Sequence, residues 1–220
     1  MNKKTLSVVI PVFNERKTIE EIVNRVKSVS LENIEKEILV IDDGSTDGSA
    51  DIIKKISGIK SFINQDNHGK GSAIKLGLQN ATGDILVIQD GDLEYDPNEY
   101  SRLISPILKG QAKVVYGSRF MSGREHIVLR FHHYFANRFL TLLSNICSGI
   151  SLTDMETCYK VFDKEVYKSL ANKLKGQRFG IEPEITARVA KMHVPVYEVS
   201  ISYHSRGYVE GKKIKWTDGI

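Results

Sequence analysis

The stretch ILVIQDGDLEYDP (Ile85–Pro97) decides how the rest of the chain is read. Its first four residues are a continuous aliphatic run, the pattern of a strand buried on both faces. The run ends in Asp90, Asp92, Glu94 and Asp96, four acids on alternate residues. Crowded like charges are costly unless a cation sits among them. Asp90-x-Asp92, at the end of a rigid strand, brings two short carboxylates close enough to share a hard divalent cation, Mg2+ or Mn2+, through oxygen. Glu94 stands where a third oxygen ligand would. Asp96, followed by Pro97, reads as the N-cap of the next helix. A cation held by so few protein groups keeps positions that phosphate oxygens fill.

Upstream, the same event is expected three more times. LSVVIPV (Leu6–Val12), EILVID (Glu37–Asp42) and SFIN (Ser61–Asn64) read as strands. Helical spacing of Ile19, Ile22, Val23 and Val26 follows the first. A short helix at Ala50–Ile56, capped by Asp47 or Ser49, follows the second, and a helix from Ser72 to about Gln79 follows the third. VVYGS (Val114–Ser118) is a fifth strand. This βαβ rhythm predicts an α/β fold: a mostly parallel Rossmann-like sheet with helices on both faces. In such sheets ligands bind beyond the carboxyl ends of the strands. FNE, DDGSTD, NHGKG and QDGDLE all fall there, so four weak signals converge on one rim. Lys70 lies between two glycines at a helix start, a favourable place for anions. NHGKG lacks Walker A spacing, and no GxGxxG follows the first strand. Asp42 and Asp43 can accept N–H donors from a base or the hydroxyls of a ribose. A nucleotide whose diphosphate is held by metal fits these pieces.

Composition is that of an ordinary globular protein, with 220 residues and a net charge of +4. That charge is too small to argue for nucleic acid, although it suits an approach to anionic lipid. Cys147 and Cys158 lack zinc spacing and cannot form a disulfide framework; both read as buried small residues in a reduced cytosolic compartment. His68, His126, His193 and His204 show no metal spacing. MNKKTLSVVIPVF does not read as a signal peptide, and no apolar run is long enough to span a bilayer. After about Gly123 the rhythm breaks: helix Phe131–Gly149, strand Cys158–Phe162, a helix capped by Asp163, helix Ile181–Met192 and strand Val194–Tyr203 are expected. With no linker, residues 1–220 are read as one domain, with a nucleotide-binding half (1–120) and a C-terminal extension (121–220). The polar ending TDGI leaves room for a further C-terminal segment.

VVIPVFNE (Val8–Glu15), VIDDGSTDGS (Val40–Ser49), NHGKGSA (Asn67–Ala73), QDGDLEYDP (Gln89–Pro97) and GSRF (Gly117–Phe120), in this order, resemble the family 2 glycosyltransferases of GT-A fold. LTDMETCYKVF (Leu152–Phe162) and YHSRGYVEGKKIKWTDG (Tyr203–Gly219) extend the likeness to the branch of dolichyl-phosphate mannose synthases and bacterial polyprenyl-phosphate glycosyltransferases. The resemblance implies that Pro11, Phe13, Glu15, Asp42 and Asp43 line the nucleoside pocket of a UDP- or GDP-hexose. It implies that Asp90 and Asp92 form the DxD metal motif, with Glu94 as third ligand where the branch often has Gln. Lys70 would face the diphosphate. Arg119, Arg138 and the tail's Arg206 match arginines that hold or close on an acceptor phosphate. Asp154–Lys160 occupy the place where other members keep a general-base Asp, which makes Asp154 a catalytic candidate.

The implied reaction is metal-dependent, inverting transfer of a hexose to a polyprenyl phosphate at the cytoplasmic membrane face. A phosphate acceptor is already ionised and needs no strong base, so Asp154→Asn is expected to be mild with it and severe with a sugar hydroxyl. The alternatives are a polysaccharide-building enzyme acting on a hydroxyl, and an inactive nucleotide-sugar-binding module. A sugar-1-phosphate nucleotidyltransferase would need a Gly-rich basic loop where FNE stands. The aromatic-rich helix after Phe131, with Phe135, Phe139, Leu142, Leu143 and Ile146 on one side, is read either as a membrane-surface helix or as a core helix. Lys212, Lys213 and Lys215 are either lipid-facing or simply solvated.

Overall fold

A computed structural model describes residues 3–121, 131–176, 178 and 180–204. Strand β1 (Lys4–Val12) leads through α1 (Ile19–Ser28) to β2 (Ile34–Asp42), and α2 (Ser49–Ile53) leads to β3 (Lys60–Ile63). Helix α3 (Lys70–Asn80) returns the chain to β4 (Ile85–Ile88). A 3-10 turn at Pro97–Glu99 runs into α4 (Tyr100–Leu108) and β5 (Val114–Ser118). The remaining elements are α5 (Phe131–Ser148), β6 (Lys160–Asp163), α6 (Lys164–Lys173), α7 (Ile181–Ala190) and β7 (Val196–Ser200).

The seven strands form one sheet in the order β3-β2-β1-β4-β6-β5-β7. All neighbours are parallel except β6, which runs antiparallel to both β4 and β5. The expected mostly parallel α/β sheet is therefore present. The chain steps from β1 outward to β2 and β3, then jumps back to place β4 on the other side of β1. That reversal opens a crevice between the carboxyl ends of β1 and β4, where a doubly wound sheet binds its ligand.

Local chemistry explains the elements. Ile19, Ile22, Val23 and Val26 are buried beneath α1, as their spacing requires. Asp96 accepts from Asn98 N (3.0 Å) and Asp163 from Val166 N (3.2 Å), so both expected caps are present. The expected cap of α2 is not: Gly48, at φ +94°, stands at that end, and Asp47 instead accepts from Arg16 N and Ser49 N. Gly77 lets α3 lie on the sheet, since a Cβ there would meet Val9 Cγ1 at 2.3 Å. Helix α3 begins at Lys70 rather than Ser72, which puts a cation in its first turn. Cys158 is buried as expected, whereas Cys147 lies on the exposed side of α5.

Candidate active site

The four expected loops do meet at one rim. Asn14, at φ +54°, turns the chain after β1, and its side-chain oxygen accepts from Thr46 N (2.8 Å) in the loop after β2. Glu15 N donates to Ser49 Oγ (2.9 Å), and the Glu15 carboxylate accepts from Thr18 Oγ1 (2.9 Å). Gly44, at φ +73°, lies so close to the loop after β3 that a Cβ would stand 2.5 Å from the Asp66 backbone. Asp43 spends its carboxylate on that loop, accepting from Asn64 Nδ2 (3.2 Å), His68 N (3.1 Å) and Gly69 N (2.6 Å). Its place is structural support for the Lys70 loop. Asp42 is fully buried; one oxygen accepts from Ser45 N (2.8 Å), and the other has no hydrogen-bond partner among the described residues. A buried, unused acceptor is costly unless something else donates to it, as a base N–H would. Pro11 is buried, and Phe13 is partly exposed beside it.

One acid of the opening stretch, Asp90, meets a cation of the protein itself. Lys70 Nζ lies 3.0 Å from Asp90 Oδ1, 3.3 Å from Asp90 Oδ2 and 3.1 Å from Glu182 Oε1. Burial works against the ammonium, but the charges of Asp90 and Glu182 outweigh it and hold the Lys70 pKa well above its ordinary value. Below Asp90, Gln89 is fully buried: it receives Tyr100 OH (2.7 Å) and Tyr159 OH (2.8 Å) and donates to the Asp90 carbonyl (3.1 Å). The loop then turns through Leu93 at φ +66°, a strained position for a branched side chain. Glu94 accepts from Tyr203 OH at 2.6 Å, while His204 N donates to its carbonyl (3.0 Å). No group of three metal-binding side chains forms among the described residues. Asp90 and Asp92 alone suit a hard cation whose remaining positions are filled by phosphate oxygens.

On the other side, Arg119 grips Asp154 with Nε (2.7 Å) and Nη2 (2.8 Å), and its backbone N adds a third bond (3.0 Å). Asp154 is fully buried, with both oxygens used. In this arrangement the Asp154 carboxylate, expected as a candidate general base, fixes an arginine. Its replacement should act first on stability, whatever the acceptor. Burial opposes the Arg119 charge and Asp154 sustains it, leaving the pKa well above ordinary. The guanidinium also lies 5.2 Å from the Tyr203 ring centre. Arg138 is exposed on α5 and donates to the Thr153 carbonyl (3.3 Å). Arg206, His126, Lys212, Lys213 and Lys215 lie outside the described residues.

Three acids escaped the sequence reading. Glu198 on β7 accepts from Thr153 N (2.9 Å), Thr153 Oγ1 (3.1 Å) and Asp154 N (3.3 Å), shaping the loop that carries Asp154. Glu156, in the same loop, has its carboxyl pushed up to about 7 by burial and by the charge of Glu182. Glu182, in the first turn of α7, is the second counter-ion of Lys70. IEPEITARV reads as an ordinary amphipathic helix; only the burial of Glu182 marks it, and burial is invisible in the string.

Residues 7–171 match the family described as "Glycosyl transferase family 2". The chain is a family 2 glycosyltransferase. A UDP-N-acetylglucosamine–dolichyl-phosphate N-acetylglucosaminyltransferase of Methanococcus voltae is 24% identical to it over 235 residues, covering 97% of this chain and 92% of the relative. A protein of Methanocaldococcus jannaschii, described only as uncharacterized, is 28% identical over 204 residues, covering 91% and 82%. Among solved structures, glucosyl-3-phosphoglycerate synthase of Mycobacterium tuberculosis matches with a TM-score of 0.73 at 21% identity, covering 98% of this chain and 75% of that one. Crystals of that enzyme hold Mn2+ or Mg2+ together with UDP. At this identity the likeness establishes the GT-A fold of the glycosyltransferase.

Proposed function

We propose that this glycosyltransferase moves a hexose, with inversion, from a UDP- or GDP-linked donor to a polyprenyl phosphate at a membrane surface. Asp90 and Asp92 hold Mg2+ or Mn2+ against the donor diphosphate, where the ion neutralises the departing phosphate. Lys70 faces the same diphosphate, and Asp42 receives an N–H of the base, with Pro11, Phe13 and Glu15 beside it. Arg119 and Arg138, with Arg206 from the tail, receive the acceptor phosphate, whose oxygen arrives already ionised. The names of the Methanococcus voltae relative and of the metal-and-UDP complexes support this reading. So does Asp154, since a hydroxyl acceptor would need a base that the ion pair with Arg119 withholds.

The observation that carries the reading is α5, whose amphipathic pattern is inverted. Its polar side faces inward: Asn137 accepts from Arg119 (3.4 Å), Thr141 from Met155 N (3.2 Å), and Asn145 exchanges two bonds with Leu152 (2.8 and 3.1 Å). Its apolar side faces outward, with Phe135 60% and Ile146 71% exposed beside Phe139, Leu142 and Leu143. Such a face suits the apolar edge of a bilayer next to the acceptor arginines. No helix among the described residues is long and apolar enough to cross a membrane. Flotation with vesicles containing polyprenyl phosphate tests the reading. The protein should float, and Phe135→Ser with Ile146→Ser should remain at the bottom. Flotation unchanged by the pair, or none at all, would overturn the membrane part.

A further inference from the structure

Lys70 has more carboxylate around it than one ammonium needs. Asp90 offers it both oxygens at 3.0 and 3.3 Å, Glu182 offers Oε1 at 3.1 Å, and Glu182 Oε2 is buried with no hydrogen-bond partner among the described residues. A lysine at a helix N-terminus also meets the positive end of the helix dipole, so it depends on these acids. Asp90 has a competing duty, because the proposed function, on which this inference rests, assigns it to a divalent cation. An ammonium and a divalent cation on one carboxylate repel each other.

We propose that Glu182 is a positioning residue that takes Lys70 over from Asp90 when the metal arrives. Its unused oxygen is the reserve acceptor: Lys70 moves from a grip shared with Asp90 to a two-oxygen grip on Glu182. Asp90 is thereby released to the cation, and the ammonium stays at the crevice, aimed at the diphosphate. Glu182 touches neither metal nor substrate in this account. It acts through Lys70 and is fixed by its place in the first turn of α7. Without it, Lys70 would remain on Asp90 and compete with the metal.

Mn2+ binding, read by electron paramagnetic resonance with Mn2+ alone and with UDP or GDP added, tests this without any turnover. Glu182→Gln should weaken Mn2+ binding by about tenfold, the scale of one charge-assisted hydrogen bond. In a Lys70→Met background the same substitution should change little. Glu182→Asp keeps the charge but withdraws the oxygens by one methylene, so it should weaken binding too, and it serves if the neutral variant fails to fold. An equal loss with and without Lys70, or full binding in Glu182→Asp, would make Glu182 a distant charge and overturn the proposal. Unaltered binding in Glu182→Gln would overturn it as well. Wild-type Mn2+ binding that survives Asp90→Asn would instead overturn the metal assignment, and this inference with it.

Discussion

At the amino ends of β1, β2 and β4, a network of polar groups closes on itself. Glu37 accepts from Ser7 Oγ, Lys60 Nζ, Thr82 N (2.8 Å) and Thr82 Oγ1 (2.8 Å). Nearby, Gly83 N donates to Ser7 (2.9 Å), while Tyr167 OH and Lys168 Nζ donate to the Gly83 and Ala81 carbonyls (both 2.7 Å). At the opposite rim, Asp42, Thr157 and Glu182 each keep a buried side-chain oxygen without a partner among the described residues. The two rims use similar side chains and differ in closure. A closed network returns the cost of desolvating its members as stability, whereas an open one leaves that return to a ligand. The open rim is the one that keeps acceptors for a ligand.

Four substitutions test that contrast. Asp154→Asn should have the largest effect, because it breaks a closed pair on the open rim and leaves Arg119 buried without its counter-ion. Chemical denaturation should show a loss of about 3–5 kcal/mol. Joint replacement, Arg119→Met with Asp154→Leu, should recover most of that stability while transfer remains lost. Asp92→Asn comes next, with transfer reduced by about 10²–10³-fold at an almost unchanged melting temperature. A comparable loss of stability would mean that the carboxylate serves the fold.

The closed rim should behave in the opposite way. Burial raises the Glu37 carboxyl, but hydrogen bonds from Lys60, Ser7 and Thr82 outweigh it and lower the pKa from 4.5 to about 2. A depressed carboxylate stabilises the fold above its unfolded pKa, and that contribution disappears on acidification. Stability should therefore fall between about pH 4.5 and 2, and Glu37→Gln should flatten this slope. The variant should lose roughly 2 kcal/mol at neutral pH and keep its turnover. Smallest of the four, Asp42→Asn should weaken UDP or GDP binding by about tenfold in calorimetry and leave melting unchanged.

The meeting of the loops after β1 to β4 at this rim was legible in the string because each piece is contiguous. An aliphatic strand stops, and the next few residues carry the chemistry, so Asp42, Lys70, Asp90 and Asp92 could be placed from order alone. Nothing in DDGS says that the Asp43 carboxylate will be spent on the loop after β3. The pairs made by Arg119 and Lys70 are assembled across distance. Arg119 meets Asp154 only because antiparallel β6 inserts between β4 and β5, and Lys70 meets Glu182 only once α7 has docked. The direction of α5 was equally hidden: its periodicity shows two faces, but only the packed fold shows that the polar one is inside.

The most direct test of the whole account is a transfer assay crossing UDP- and GDP-hexoses with a short polyprenyl phosphate, with Mn2+ or with EDTA. The account predicts a hexosyl-phosphate-polyprenol product from at least one donor, abolished by EDTA and by Asp90→Asn. Transfer only to sugar hydroxyls, or a lipid product that persists in EDTA, would contradict it.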